Sequence, residues 1–191
     1  MYSNVFQYDG NGKLSEISYT VDNALLEKRL FKYSGNKTEI SIFDQGNNLS
    51  FRQENSHNDK GLLISEIRTG GKGNVIHSLD MQYNASDNLM EEVRKRAEDK
   101  LDYKKIYHYD RDNRLVKVET VTIDGATFVS HEYQYNPAGD LILETWKKSE
   151  RAQESSSKKF TYDSKGLYTE EDCYYATYKL KSLYKYTYEF H

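Results

Sequence analysis

The stretch FQYDGNGKL, residues 6–14, sets two aromatics at i, i+2 ahead of an aspartate, two glycines and a leucine. YHYDRDNRL (107–115), YQYNPAGDL (133–141) and FTYDSKGLY (160–168) restate it closely. Aligned on the aromatic ahead of each polar turn, with Asn58 in its place in the third copy, the anchors are Tyr8, Tyr33, Asn58, Tyr83, Tyr109, Tyr135, Tyr162 and Tyr188. They fall 25 to 27 residues apart. A fixed period of that length marks an array of one supersecondary unit.

The motif specifies a turn. Its clear copies contain the loops Asp9–Gly12, Asn84–Asp87, Asp110–Asn113, Asn136–Gly139 and Asp163–Gly166. The first residue is always Asp or Asn, whose side-chain oxygen accepts hydrogen bonds from backbone amides two residues on. Pro137 pre-sets φ for the second position of a type I turn. The fourth residue is Gly, Asn or Asp, the types that tolerate a left-handed backbone. A type I turn closed by such a residue is the G1-bulge hairpin. The opposite ends of the hairpins read as looser: Asp22-Asn23, Asp44–Asn48, Thr69–Asn74, Ala97–Lys100, Asp124-Gly125 and the polar run Lys148–Lys158.

These turns predict an all-β chain. The expected fold is an antiparallel up-and-down meander of about fifteen strands, built from hairpin repeats of about 26 residues into an open or spiralling, curled sheet. One domain is expected over residues 1–191, or a piece of a longer array. The helix formers of Glu91–Lys100 read as a strand ending in a charged turn. The pairs Phe6/Tyr8, Phe31/Tyr33, Met81/Tyr83, Tyr107/Tyr109, Tyr133/Tyr135, Phe160/Tyr162 and Tyr186/Tyr188 recur at i, i+2, which puts an aromatic band on one face. Leu14 and Leu115 oppose Tyr8 and Tyr109 on that face; Ile17 and Val118 are expected on the other. Both end strands run toward the Asp turns, so closing a barrel would make them parallel neighbours. An open sheet with two edges is expected, one of them blunted by Lys179, Lys181 and Lys185.

Composition fits a thin sheet. Only 37% of residues are hydrophobic and mean hydropathy is -0.91, yet there are 18 tyrosines. Tyrosine packs through its ring while its hydroxyl stays solvated or bonded. A net charge of -3 leaves no basic footprint for nucleic acid. No apolar run reaches the roughly 18 residues of a membrane span, so neither nucleic-acid binding nor membrane insertion is expected. Cys173 stands alone, which rules out an intrachain disulfide.

Tyr-Asp-x-x-Gly-x-Leu, carried by YDGNGKL (8–14), YNASDNL (83–89), YDRDNRL (109–115), YNPAGDL (135–141) and YDSKGLY (162–168), resembles the YD repeat of Rhs-type bacterial proteins and teneurins. The resemblance covers essentially the whole chain. It implies long antiparallel sheets that spiral, sometimes into shells around a toxin, in proteins often secreted or surface-bound. Large members carry a self-cleaving core segment; no matching segment occurs here, so no catalytic residue is carried over.

Few side chains suggest chemistry. His108 and Asp110 share a strand face, but one such pair falls short of a metal site. The other histidines, His57, His77, His131 and His191, form no spaced set. The DGNG and DRDN loops lack the glutamate of a calcium loop. Glu91/Glu92 and Glu170/Glu171/Asp172 are neighbours in strands and so point to opposite faces. Cys173 reads as a small filler. No catalytic residue, cofactor or metal is expected.

The reading is a non-catalytic repeat β domain that binds or scaffolds. The candidate binding face is Tyr8, Tyr33, Tyr83, Tyr107, Tyr109, Tyr133, Tyr135, Tyr162, Tyr186 and Tyr188, and the structural turn residues are Asp9, Gly12, Asp110, Asn113, Asn136, Gly139, Asp163 and Gly166. Expected partners are a protein or glycan, with edge-to-edge self-association open. The setting is a bacterial surface or secreted protein if the chain belongs to a longer secreted one, and the cytoplasm otherwise, since no signal peptide is read. Alternatives are carbohydrate binding by the tyrosine face, or a hydrolase using cross-strand carboxylates.

Overall fold

The computed structural model describes residues 1–122, 125–148 and 155–188. Asp124, most of the Lys148–Lys158 run and His191 lie outside them. The strands of the first half are β1 (Tyr2–Tyr8), β2 (Leu14–Val21), β3 (Ala24–Ser34), β4 (Lys37–Asp44), β5 (Leu49–His57), β6 (Leu63–Gly70) and β7 (Val75–Tyr83). Next come β8 (Leu89–Arg96), a single 3-10 turn at Ala97–Asp99, β9 (Leu101–Tyr109), β10 (Leu115–Val121) and β11 (Thr127–Tyr135). The chain continues as β12 (Leu141–Lys147), β13 (Ser156–Tyr162), β14 (Tyr168–Tyr175) and β15 (Leu180–Lys185). They form one antiparallel sheet in chain order, open at β1 and β15 rather than closed into a barrel. Among the described residues no helix is long and apolar enough to cross a membrane. The chain divides into two compact units, Met1–Gln82 with Glu92–Asp102, and Tyr83–Glu91 with Tyr103–His191.

The repeat motif builds the turn its composition predicts. In the first copy the Asp9 carboxylate accepts from Asn11 N–H and Lys13 N–H, both at 2.9 Å. Gly12 N–H bonds Asp9 C=O at 3.0 Å, and Asp9 N–H bonds Lys13 C=O at 2.7 Å. Asp110 and Asp163 repeat the double cap, to Asp112 and Arg114 and to Lys165 and Leu167. Asn136 caps Asp140 N–H in the same way, at 2.9 Å. The closing residues are all left-handed: Gly12 (+77°), Asp87 (+63°), Asn113 (+59°), Gly139 (+96°) and Gly166 (+76°). Bonds from Arg114 N–H, and from its guanidinium, hold the Asp110 carboxyl below the usual carboxylate range.

Three expectations need correction. The third copy is anchored by His57, not Asn58: His57 opposes Leu63 as Tyr8 opposes Leu14, and Asn58 takes the capping role of Asp9. Second, most of the opposite ends are not looser. Asp44 caps Gly46 and Asn48 with Asn47 left-handed, and Gly70–Asn74 and Thr122–Ala126 make the same backbone bonds. Asp22-Asn23 is a two-residue turn with both residues left-handed, the backbone of a type I′ hairpin.

Third, Ile17 and Val118 lie on the aromatic face. Tyr8 pairs with Leu14 but Gln7 with Glu16, so Ser15 is an extra residue and Ile17 returns opposite Phe6. Val116 has the same place in β10, and Val118 opposes Tyr107. A bulge inverts the two-residue phase of its strand, so residues three apart share a face. The buried side chains are on this face in both units: Ile17 and Ile42 in the first, Ser156 and Cys173 in the second.

Candidate binding face

The anchor tyrosines do a common structural job. Tyr33 hydroxyl donates to Leu14 C=O (2.9 Å), Tyr109 to Leu89 (2.9 Å) and Tyr135 to Leu115 (2.8 Å). Tyr162 donates to Leu141 (2.9 Å) and Tyr188 to Tyr168 (2.7 Å). Each hydroxyl thus clips its hairpin to the residue that follows the previous loop. The acceptor is backbone, which is why Tyr168 serves where the other copies have leucine. Burial pushes the Tyr109, Tyr135 and Tyr162 phenols above their ordinary range. Tyr135→Phe should therefore cost about 1 kcal/mol. Tyr8 is 63% exposed, and Tyr8→Phe should leave the melting temperature unchanged. Paired thermal melts check both.

The remaining predicted tyrosines also fall on strands or just beyond them. Tyr83 ends β7, Tyr107 is on β9, Tyr133 on β11, and Tyr186 follows β15. Tyr186 stacks at a tilt on Tyr168, with ring centres 4.7 Å apart.

Within the second unit the same face carries residues that the tyrosine period does not mark. Val118, His131, Trp146 and Ser156 oppose one another across β10 to β13. The His131 ring lies nearly parallel to Tyr133 (6.5 Å, 20°) and to Trp146 (6.3 Å, 13°). Tyr175 meets Trp146 edge-on at 6.0 Å. Trp146, Tyr175, Ser156, Lys148 and Tyr178 line a cavity of about 230 Å³. Glu144 approaches His131 Nδ1 at 3.4 Å.

Beside the cavity sits a charged cluster. Glu171 accepts from Cys173 Sγ (3.0 Å), from the Tyr168 hydroxyl (2.7 Å) and from Lys158 Nζ (3.0 Å). These three donors, the thiol foremost, draw the Glu171 carboxyl down to about 2. Burial and the same carboxylate push the Tyr168 phenol upward, and burial raises the Cys173 thiol. Cys173 is fully buried, so a maleimide should label it only when the protein is unfolded. Labelling of the native chain at the unfolded rate would refute that burial.

A sequence signal for these acids exists in hindsight. Glu66, Glu144 and Glu171 each stand three residues after the residue that opposes the anchor, and the bulge turns each inward. Each meets a base: His77 for Glu66 (3.1 Å), His131 for Glu144, Lys158 for Glu171. Glu170 and Asp172 take the other face, as strand alternation predicts. His108 bonds Glu119 (2.9 Å), while Asp110 is engaged in its turn. Among the described residues no group of three or more His, Cys, Asp or Glu is placed to hold a metal ion.

No family model matches the chain, and no curated protein matches it. Among solved structures it is similar to a porin-like protein from Bacteroides uniformis, with TM-score 0.52 and 13% identity over 96% of this chain and 86% of that one. At such identity the likeness concerns the fold. It also aligns with the TcdB2-TccC3-TEV structure, with TM-score 0.47 and 12% identity, over 96% of this chain but 13% of that one. For TcdB2-TccC3 without its hypervariable C-terminal region the TM-score is 0.28 at 11% identity, over 95% of this chain and 14% of that one.

Proposed function

We propose that this chain is a non-catalytic repeat β module, of the YD-repeat kind its sequence resembles, that binds or scaffolds in a bacterial surface or secreted protein. The observation that carries this reading is where the polar groups of the repeat are used. Loop amides occupy the Asp and Asn caps, and backbone carbonyls accept the anchor hydroxyls. The inward glutamates of the second unit each bond a base on a neighbouring strand, an arrangement that does not set one carboxyl as acid against another as base. What the strands offer to a partner is surface. The test is a panel of chromogenic glycosides and esters, with the chain compared against a Glu144→Gln, Glu171→Gln variant. No turnover is expected; turnover lost in the variant would replace this reading with the hydrolase one.

A second reading rests on the Tyr133–His131–Trp146 strip. Flat, nearly parallel rings beside a carboxylate and a small cavity suit the apolar face of a sugar ring and its hydroxyls. This moves glycan recognition from the anchor tyrosines to Trp146. A glycan array probed with the chain tests it: a hit should weaken about tenfold or more in Trp146→Ala, and binding unaffected by that change would sink it.

A further inference from the structure

β1 is an edge strand of this sheet, and its own sequence carries none of the usual edge protections. Natural edges are blunted by charge, proline, brevity or a covering segment. YSNVFQY (2–8) is seven residues long, has neither charge nor proline, and is exposed throughout. Tyr2 is 83% exposed, Phe6 52% and Val5 50%. The other edge, β15, carries Lys181 and Lys185 within its six residues LKSLYK.

Its unpaired backbone groups are identifiable. Asp22 N–H donates to Met1 C=O at 3.0 Å, and β1 pairs with β2 in regular register from Tyr2↔Val21 to Gln7↔Glu16. Odd-numbered residues therefore bond β2. The N–H and C=O groups of Tyr2, Asn4, Phe6 and Tyr8 point to the open side.

We propose that two copies of this chain pair antiparallel through β1, about a two-fold axis between their Val5 residues. In that register Tyr2 opposes Tyr8, Ser3 opposes Gln7, Asn4 opposes Phe6 and Val5 opposes itself. Every outward residue of one copy meets an outward residue of the other, so each such pair exchanges both of its hydrogen bonds. The strand suits its own reverse. It is tyrosine-ended, centred on valine and uncharged, so the two-fold brings no like charges together. A different partner strand would not require that symmetry. The pairing places Tyr2 and Phe6 against Tyr8 and Asn4 on one face and the two valines on the other.

Sedimentation velocity of the full chain across a concentration series tests the pairing. The expected result is a dimer of twice 22.4 kDa, lost in Asn4→Pro. That substitution removes an outward N–H but none of the β2 ladder, so its melting temperature should hold. Val5→Cys gives an independent arm. A non-hydrogen-bonded antiparallel pair brings Cα atoms to about 4.5 Å, within the range a disulfide spans. Mild oxidation should cross-link Val5→Cys and not Ser3→Cys, and this arm decides if Asn4→Pro fails to fold. A chain that stays monomeric throughout, or a dimer whose Val5→Cys variant does not cross-link, overturns the proposal.

Discussion

Gly71→Ala should cost about 3 kcal/mol or more, among the heaviest penalties for adding one methyl group to this chain. A Cβ built on Gly71 lies 2.0 Å from the Leu49 carbonyl oxygen and 3.1 Å from its carbon. Both are backbone, so no rotamer change relieves the clash. The chains cannot simply part either, because Gly71 N–H donates to Ser50 C=O at 2.8 Å, beside the Phe51↔Gly70 pair of β5 and β6. Gly73, two residues on, isolates the alternative cause. Its φ is +87° and nothing lies within 4 Å of its added Cβ, so Gly73→Ala meets only backbone strain, about 1 kcal/mol. At roughly 2–4 °C per kcal/mol for a chain of this size, Gly71→Ala should melt about 10 °C below the parent. A drop no larger than that of Gly73→Ala would show that the strands do not approach as described. Gly139→Val belongs with Gly73: a β-branched residue forced to +96° with open space around it.

Gly71 also shows what the sequence makes legible. Asp, Pro and Gly at fixed offsets disclose a turn because the cause is local: a carboxylate reaching two amides, a ring fixing φ, a missing Cβ. The loop at Asp163–Gly166 needs no tertiary information. The strand order follows, since short turns leave a strand nowhere to pair but beside its predecessor. A bulge is different. Ser15 looks like any polar strand residue, yet it reverses the facing of every residue after it in β2, and strict alternation therefore misplaces Ile17. The tyrosines mark the candidate face in the sequence because they repeat. Trp146, His131 and Lys158 reach it through cross-strand register, which pairs Trp146 with both His131 and Ser156. Glu66, Glu144 and Glu171 left a periodic trace, visible once the bulge is counted. Gln45 to Leu49 hid a full copy of the capped loop because Phe43, not tyrosine, precedes Asp44.

Acid should destabilise the chain through Glu171 over a defined window. Its carboxyl ordinarily titrates near 4.5 and is drawn to about 2 in the folded protein by the Cys173 thiol, the Tyr168 hydroxyl and the Lys158 ammonium. A group whose pKa falls on folding stabilises the native state above its unfolded value, and that contribution disappears as pH falls through the folded one. The window is thus from about 4.5 down to about 2. Glu171 is 16% exposed, and at 1.36 kcal/mol per unit the contribution is at most about 3 kcal/mol. Asp44, Asp110 and Glu119 are held low by their own hydrogen bonds and titrate in the same direction, so the parent's acid melt alone cannot single out Glu171. The comparison with Glu171→Gln does. At neutral pH the variant should be less stable by about 2 kcal/mol, because Lys158 loses its counter-charge in a half-buried site. That gap should close on acidification, since the parent's carboxylate is then neutral as well. Parallel denaturation curves at every pH would mean that Glu171 does not change its protonation on unfolding, and that Lys158, Tyr168 and Cys173 do not converge on it. A gap that narrows only below pH 4.5 would assign to this cluster the electrostatic stability of the face that also carries Trp146 and its cavity.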